Sequence, residues 1–379
     1  MKNLKLFLLL TLLCSVSFLH AQQDFIYVSD AGNFNGQPWQ IMRYDADGSN
    51  PLVFIDNDFF VDNNVGWPQD ILFLEDQGVV LISCLVGNRI TKHDANTGEY
   101  IEDFAAIAGG PTRMKIHPTD GYIYVLQWSN TTNKVLRYEQ DGTFVDEFTE
   151  IGVQQSIGID WDMGGGLFVS SYGGGTVRKF NPSGTDAGEF IDTVELQGPT
   201  NIHQLDNFNW VVLDWSGGNA ELYDPQGDYI GEFISGLSQP EGIAQDANGD
   251  LLVGNGGDGS VKKYDSDGNF IENIVPSGSG GLMQPNAVII REDVIAGVED
   301  VEFEKVKVAP TMGNEFEIRM NNVPVKKLEV ISMDGKRVAD IPVSDTLVWN
   351  ASALTEGIYF LMITLENNKK GTQKIVVKR

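Results

Sequence analysis

Polar and charged side chains that could bind a ligand stand at related points along the 379-residue chain. Each lies within two residues of a proline that opens an apolar stretch: Asp70, Arg113, Asn201, Glu241 and Asn286. Carboxylate, guanidinium and amide groups that converge on one opening suit a polar ligand or a cation. The spacing therefore predicts one shared ligand-binding opening. The alternative is that these side chains are solvated or cap the ends of strands.

Three aromatic residues, Trp128, Tyr172 and Trp215, each follow the end of an apolar run. An aromatic ring combines an apolar face with a polar handle, which suits stacking on sugar rings or on apolar ligands. We predict that the three rings form part of a ligand-binding surface. The alternative is that they pack between structural repeats.

Motifs that would indicate an enzyme are missing from the sequence. It has no HExxH zinc motif, no GxSxG nucleophile elbow, no P-loop and no GxGxxG that opens a helix. His93 replaces the tyrosine found at the same place in other repeats, so we expect it to pack in the core, whereas His203 lies on a strand near Asn201. These features favour a protein without catalytic activity.

A repeated phrase accounts for the spacing of these candidate residues. It consists of an apolar residue, an aromatic residue or a histidine, and a turn that ends in glycine. The six turn glycines are 50, 44, 42, 43 and 41 residues apart: Gly48, Gly98, Gly142, Gly184, Gly227 and Gly268. Repeats of this period predict a propeller or a solenoid.

Each repeat predicts four short strands joined by three turns, which is the pattern of a propeller blade. The first repeat begins at its second strand, near Phe25, and residues 286–291 form a first strand with no repeat of their own. These two ends are expected to pair. We therefore predict an all-β fold in which a six-bladed β-propeller is closed by strands from both ends.

The fifth full repeat carries a family resemblance. Pro240-Glu241-Gly242-Ile243, followed by Leu251-Leu252-Val253, Tyr264 and Gly268, resembles the repeat of the NHL family of six-bladed propellers. The resemblance covers residues 24–293. It implies the architecture and leaves the activity open, because one fold carries many functions.

The ends of the propeller segment differ from it in composition. Residues 1–21 are predicted to be a secretory signal peptide, because Lys2 and Lys5 precede a short apolar run. That run is too short to span a bilayer, and we expect no transmembrane segment in the mature chain. Residues 22–293 then form the propeller, and residues 294–305 form an acidic linker. The net charge of −27 argues against nucleic-acid binding, which needs clustered lysine and arginine.

The remaining residues, 306–379, show an alternation of apolar side chains that predicts a small β-sandwich. Four segments resemble the type A C-terminal sorting domain of type IX secretion cargo: 310–316, 333–338, 354–359 and 374–378. Here Val308-Ala309-Pro310 replaces the usual Pro-Asn-Pro. The resemblance implies contact with the type IX secretion machinery of a Gram-negative bacterium and a product that is secreted or lies on the outer cell surface. An immunoglobulin-like adhesion module is the alternative.

Two functions from different classes stay open. The favoured one is a non-enzymatic extracellular module that binds a glycan, a peptide or another small molecule and needs no cofactor. The alternative is a lactonase or lyase that depends on Ca²⁺. A resemblance to gluconolactonase-like and streptogramin-lyase-like propellers implies that Glu241 and Asn286, with Asn201 as a third residue, would then be calcium ligands.

Overall fold

The computed structural model describes the chain in eight stretches: 24–33, 36–192, 194–292, 306–320, 323–332, 336–344, 346–365 and 370–378. The predicted signal peptide and acidic linker lie outside these described residues. The chain divides into two compact units, with the boundary between Glu292 and Asp293. Each unit has its own sheets and its own hydrophobic core.

The described residues of the first unit contain six four-stranded antiparallel sheets. Sheet 1 consists of β24 (Pro285–Glu292), β1 (Asp24–Asp30), β2 (Gln40–Asp45) and β3 (Leu52–Ile55). Sheet 2 consists of β4 (Gly66–Leu74), β5 (Val79–Val86), β6 (Arg89–Asp94) and β7 (Tyr100–Ala106). Sheet 3 consists of β8 (Pro111–Ile116), β9 (Ile123–Gln127), β10 (Leu136–Tyr138) and β11 (Phe144–Glu147).

The other three sheets repeat this order of strands. Sheet 4 consists of β12 (Ser156–Trp161), β13 (Leu167–Ser171), β14 (Thr176–Phe180) and β15 (Asp186–Ile191). Sheet 5 consists of β16 (Pro199–Gln204), β17 (Trp210–Asp214), β18 (Asn219–Tyr223) and β19 (Tyr229–Ile234). Sheet 6 consists of β20 (Pro240–Gln245), β21 (Leu251–Asn255), β22 (Ser260–Tyr264) and β23 (Phe270–Val275). A short helix, α1 (Asn57–Asp62), connects the first two sheets.

The two ends of the first unit pair with each other, as the sequence predicts. β1 and β24 are antiparallel neighbours, and Tyr27 lies opposite Ile289. The first strands of the sheets contact one another in cyclic order, from β24 through β4, β8, β12, β16 and β20 back to β24. The first unit is therefore a closed, β-propeller-like arrangement of sheets.

The core of the first unit lies in the gaps between successive sheets. Six hydrophobic clusters each combine side chains from two neighbouring sheets. In β17, Val211 packs with residues of sheet 6 and Val212 packs with residues of sheet 4, because successive side chains of a strand point to opposite faces. Burial on both faces explains why the second strands have unbroken apolar sequences.

The turn glycines join neighbouring sheets. All six have positive φ, for example 80° at Gly184 and 81° at Gly268. A Cβ atom at Gly184 would collide with the carbonyl oxygen of Phe148 in the preceding repeat, and a Cβ atom at Gly268 would collide with that of Phe233. The same contact repeats around the ring, since Gly48 of sheet 1 lies against the carbonyl oxygen of Ile274 in sheet 6. Glycine is therefore required at these turns both by conformation and by space.

In sheets 5 and 1, an aspartate at the end of the second strand holds the loop that enters the sheet. Asp214 accepts hydrogen bonds from the backbone N–H groups of Gln197 (2.6 Å), Gly198 (2.8 Å) and Gly217 (2.9 Å). Asp30 holds the equivalent loop of sheet 1 in the same way. These buried carboxylates fix the position of whichever residue follows them.

The second unit contains a three-stranded and a five-stranded sheet among its described residues. The smaller sheet consists of β25 (Lys307–Ala309), β27 (Glu315–Arg319) and β30 (Thr346–Asn350). The larger sheet consists of β26 (Met312–Gly313), β32 (Lys370–Val377), β31 (Gly357–Leu365), β28 (Val325–Ser332) and β29 (Arg337–Ile341). Phe316 from the smaller sheet and Leu328 and Leu361 from the larger sheet share one hydrophobic cluster.

Candidate functional site

The predicted aromatic residues form one continuous wall. Trp128, Tyr172 and Trp215 directly follow the second strands of sheets 3, 4 and 5, where their backbone N–H groups donate to the loop that enters the same sheet. The ring centroids of Trp128 and Tyr172 are 5.6 Å apart, and those of Tyr172 and Trp215 are 6.0 Å apart. Gly198 allows this packing, because a Cβ atom there would lie 3.0 Å from the Tyr172 ring. The three rings therefore lie side by side across three neighbouring sheets.

This wall borders a cavity of about 100 Å³, which we call the aromatic cavity. Its lining combines four aromatic side chains, two aliphatic side chains and four polar side chains: Trp67, Trp128, Tyr172, Trp215, Leu85, Ile157, Gln69, Thr200, Glu241 and Gln284. Apolar walls with a few polar groups are the usual composition of a ligand site. The aromatic side chains are half-buried, so each ring presents part of its surface to the cavity.

The structure separates the predicted polar residues into two groups. Glu241 lines the aromatic cavity. Asp70, Arg113 and Asn201 line a different cavity of about 170 Å³. Asn286 is buried beside Glu241 and lines neither cavity. The prediction of one shared opening for all five residues therefore stays a prediction, because only Glu241 meets the aromatic wall.

Arg113 is the centre of a buried ionic network. Its Nη2 atom donates to the Glu241 carboxylate at 3.2 Å and to the Asn286 carbonyl oxygen at 2.7 Å. Its Nη1 atom lies 3.9 Å from Asp70, which also accepts a hydrogen bond from the backbone N–H of Met114 at 2.7 Å. Arg113, Asp70 and Glu241 are 4%, 5% and 5% exposed. The network thus brings together side chains from three sheets away from bulk water.

Two amides complete the surroundings of Glu241. An amide atom of Gln69 lies 3.1 Å from Oε1 of Glu241, and an amide atom of Asn286 lies 2.9 Å from Oε2. The remaining amide atoms of Gln69 and Asn286 lie 2.9 Å from each other and within hydrogen-bond distance of the Trp67 indole N–H. Because these two remaining atoms face each other, one must be an amide nitrogen that donates and the other an amide oxygen that accepts. Only one of the two residues can therefore donate to Glu241, and the other directs its amide oxygen at the Glu241 carboxyl group. That second contact is a hydrogen bond only when Glu241 carries a proton.

Burial also favours the protonated form of the carboxyl groups of Glu241 and Asp70. Removal from water raises the pKa of Glu241 to about 7, although Arg113 opposes the shift. Burial also raises the pKa of Asp70, again against the effect of Arg113. Charged carboxylates are disfavoured where water cannot solvate them. Glu241 is therefore a neutral hydrogen-bonding group over most of the acidic range.

Sequence reasoning missed two important residues of the aromatic cavity. Trp67 immediately precedes Pro68 and has a φ of 49°, a left-handed conformation that is strained for a tryptophan. Gln284 immediately precedes Pro285 and is 5% exposed. The signal was present, since both residues precede the proline that opens a first strand. The predicted polar residues all follow those prolines.

The histidines do not form a catalytic group with the residues of the cavity. His93 is buried, and its ring nitrogens lie 2.9 Å from Thr91 Oγ1 and 3.0 Å from the Gly98 carbonyl oxygen. Burial lowers the pKa of His93 to about 4, so it is a neutral core residue at physiological pH. His203 lies near Asp160 and Gln245 and lines the second cavity.

The residues that a calcium ion would need are already engaged with one another. Ca²⁺ takes six to eight oxygen ligands. The guanidinium of Arg113 contacts Glu241, and the amide oxygen of Asn201 accepts a hydrogen bond from the backbone N–H of Ile202. In the described parts of the chain, no group of three or more His, Cys, Asp or Glu residues could hold a metal ion. The donor set around Glu241 therefore does not fit calcium.

Comparison with known protein families identifies the C-terminal segment. Residues 310–378 match the family described as the secretion system C-terminal sorting domain. This domain marks cargo of the type IX secretion system, so the protein interacts with that machinery and is extracellular or on the cell surface. Within the described residues, no helix is both long and apolar enough to cross a membrane. Among curated protein sequences, none is significantly similar to this chain.

Solved structures are similar to this chain at low sequence identity. A chain from a nidogen–laminin complex is 14% identical, with 71% of this chain and 98% of that chain covered and a TM-score of 0.56. A protein of unknown function from Bacteroides caccae is 16% identical, with 71% and 99% covered and a TM-score of 0.54. A gluconolactonase from Xanthomonas campestris is 15% identical, with 61% and 84% covered and a TM-score of 0.49. The first two similarities concern the fold alone.

Proposed function

We propose that residues 22–293 are a six-bladed β-propeller of the NHL type and that residues 306–379 are a β-sandwich sorting domain. The signal peptide 1–21 is removed on export, and residues 294–305 are the linker. Three features support this organisation: the six four-stranded sheets, the pairing of β24 with β1, and the cyclic contacts of the turn glycines. Each turn glycine packs against the repeat before it, as a ring of equivalent blades requires.

We further propose that the exported propeller is a non-enzymatic binding module for an extracellular ligand. The aromatic cavity is the observation that carries this proposal. The cavity combines four half-buried aromatic rings with amide and hydroxyl groups. Among the described residues that line it, Glu241 is the only Asp, Glu, Lys, Arg or His. Aromatic rings supply large contact areas with little loss of side-chain entropy, which suits recognition of a glycan, a peptide or another small molecule.

The pairing of Glu241 favours binding over catalysis. A general base needs a free lone pair within reach of its substrate. The carboxyl oxygens of Glu241 instead contact Arg113, Gln69 and Asn286. The calcium-dependent lactonase or lyase remains the alternative function, and a direct assay separates it from a binding module.

A thermal-unfolding screen of the exported full-length protein tests the proposal. The panel contains neutral and charged glycans, peptides and lactones, each with added Ca²⁺ or with excess chelator. A ligand at a hundred times its dissociation constant stabilises the folded state by about 2.7 kcal/mol. We expect at least one glycan or peptide to raise the unfolding temperature of the wild type and to be recovered chemically unchanged after long incubation.

The same screen includes variants with a matched control. Trp128→Ala and Trp215→Ala should abolish the shift, whereas Phe144→Ala should preserve it, because Phe144 is an aromatic residue on an outer strand with 52% exposure. A ligand whose shift survives both tryptophan substitutions would contradict the proposed site. Opening of a lactone, or release of an elimination product in a Ca²⁺-dependent way, would establish the enzymatic alternative.

A further inference from the structure

The aromatic cavity contains hydrogen-bonding groups that have no partner within the protein. Gln284 lines the cavity, and its side-chain amide forms no hydrogen bond with the rest of the described chain. Tyr172 also lines the cavity, and its hydroxyl can both donate and accept a hydrogen bond. An amide in this position is therefore suited to binding something that enters the cavity.

We propose that the aromatic cavity binds a single uncharged sugar ring at the end of a glycan. This inference rests on the proposed binding function and narrows the class of ligand. The apolar face of the sugar packs against the wall formed by Trp128, Tyr172 and Trp215. Its hydroxyl groups bond to the Gln284 amide and to the Tyr172 hydroxyl.

The pairing of donors and acceptors favours hydroxyl groups. An amide offers both a donor and an acceptor, and a sugar hydroxyl also offers both, so Gln284 can satisfy two neighbouring hydroxyls. A purely apolar ring, such as a phenylalanine side chain, would cover the aromatic wall but leave the Gln284 amide without a partner. A site built around such hydrogen bonds discriminates strongly against ligands that lack them.

The charges around the cavity favour an uncharged ring. Glu241 is the only ionisable acid or base that lines the cavity apart from the Tyr172 phenol, and its oxygens already face Arg113, Gln69 and Asn286. A uronic acid would bring a carboxylate into a cavity whose lining residues include no lysine or arginine to receive it. An amino sugar would have to compete with the guanidinium of Arg113. Burial of a charge without a partner is strongly unfavourable.

A titration with matched sugars tests this inference. Methyl glucoside and methyl N-acetylglucosaminide are the neutral probes, methyl glucuronide is the acidic probe, and methyl glucosaminide is the cationic probe. Each is added to the exported full-length protein while tryptophan fluorescence is recorded, since three tryptophans line the cavity. A neutral probe should bind at least 10-fold more tightly than either charged probe. Each neutral probe is also tested at the end of an oligosaccharide, both free and attached to a protein, to identify the natural carrier.

Two substitutions at one position connect the binding to Gln284. Gln284→Ala and Gln284→Glu should each weaken the neutral probe by at least 10-fold, because the first removes the amide and the second replaces it with a carboxylate. Phe144→Ala is the control that should bind like the wild type. Circular dichroism and the unfolding temperature show whether each variant is folded, and Gln284→Glu keeps the size of the side chain if the alanine variant does not fold.

The outcomes separate this inference from the proposed function. Equal or tighter binding of a charged probe, or unchanged binding by a folded Gln284 variant, would overturn the assignment of an uncharged sugar. If only peptides bind, and they need Trp128 and Trp215, the sugar assignment fails while the binding function stands. If no probe or screened ligand binds the aromatic cavity, both fail.

Discussion

Sheets 3 to 5 and sheets 1 and 6 use the same backbone contact to present different surfaces. In sheets 3, 4 and 5 the residue after the second strand is Trp128, Tyr172 or Trp215. In sheet 1 the corresponding residue is Ala31, and in sheet 6 it is Gly256. The backbone N–H groups of both nevertheless donate to the loop that enters the sheet, as the tryptophans and the tyrosine do. These five sheets therefore share one backbone contact, but only sheets 3, 4 and 5, which form the aromatic side, place an aromatic residue at this position.

The difference shows how neighbouring residues divide two tasks. The last residue of the second strand holds the entering loop through its side chain, as Asp214 and Asn255 do. The next residue is held through its backbone N–H in every one of these sheets, whereas its side chain differs from sheet to sheet. The residue that stabilises the fold and the residue that would contact a ligand are thus neighbours in the sequence, and each can be substituted separately.

The largest expected effect tests this division directly. Asp214→Ala should lower the free energy of unfolding by about 4 kcal/mol, because three backbone N–H groups lose a charged acceptor at a cost of about 1–3 kcal/mol each. Trp215→Ala should lower it by only about 1–2 kcal/mol, since its ring is half-exposed. Urea unfolding of both variants provides the comparison.

Asp214→Asn is the control, and its free energy of unfolding should lie between those of the wild type and Asp214→Ala, because Asn255 holds the equivalent loop with one amide oxygen. Equal losses in the two alanine variants would contradict the division of tasks.

The pH dependence of stability tests the buried network below the aromatic wall. Glu241 has a pKa of about 7 in the folded protein, above its ordinary value of 4.5, so the folded state binds the proton more tightly than the unfolded state. Its contribution to stability is complete below about pH 4.5 and is lost as the pH rises through 7. We expect a loss of about 2–3 kcal/mol across this window, at about 1.4 kcal/mol per pH unit.

Glu241→Gln supplies the control for that measurement, because glutamine is always neutral. Unfolding of the wild type and the variant by urea between pH 4.5 and 8 should give curves that lie close together at low pH and separate as the pH rises, with the steeper slope in the wild type. Asp70 contributes in the same direction, since burial raises its pKa too, and its contribution should persist in the variant. Parallel curves would mean that Glu241 is ionised throughout.

The repeated features of the molecule could be predicted from the sequence, and the contacts across its centre could not. The three aromatic positions and the pairing of β1 with β24 follow from the register of the repeats. The contact between Arg113 and Glu241 joins residues 128 positions apart in sheets that are not neighbours, so no local pattern reports it. Trp67 enters the cavity through a left-handed backbone conformation, which single-residue preferences disfavour before a proline. Side-chain packing decides such features, and it depends on the whole ring.

The smallest expected effect tests whether the aromatic and non-aromatic sides are equivalent in construction. Gly184→Ala in sheet 4 and Gly268→Ala beside sheet 6 should each lower the free energy of unfolding by about 2 kcal/mol. Both residues have φ near 80°, and both would direct a Cβ atom into a carbonyl group of the neighbouring repeat. Gly188→Ala is the matched control, because Gly188 has a φ of 97° but no heavy atom within 4 Å of its Cβ position. It should therefore lose only about 1 kcal/mol from backbone strain. Urea unfolding measures the loss of stability in each variant. A clearly larger loss for Gly184→Ala than for Gly268→Ala would show that the aromatic side depends more heavily on these turns. The two sides would then not be equivalent in construction.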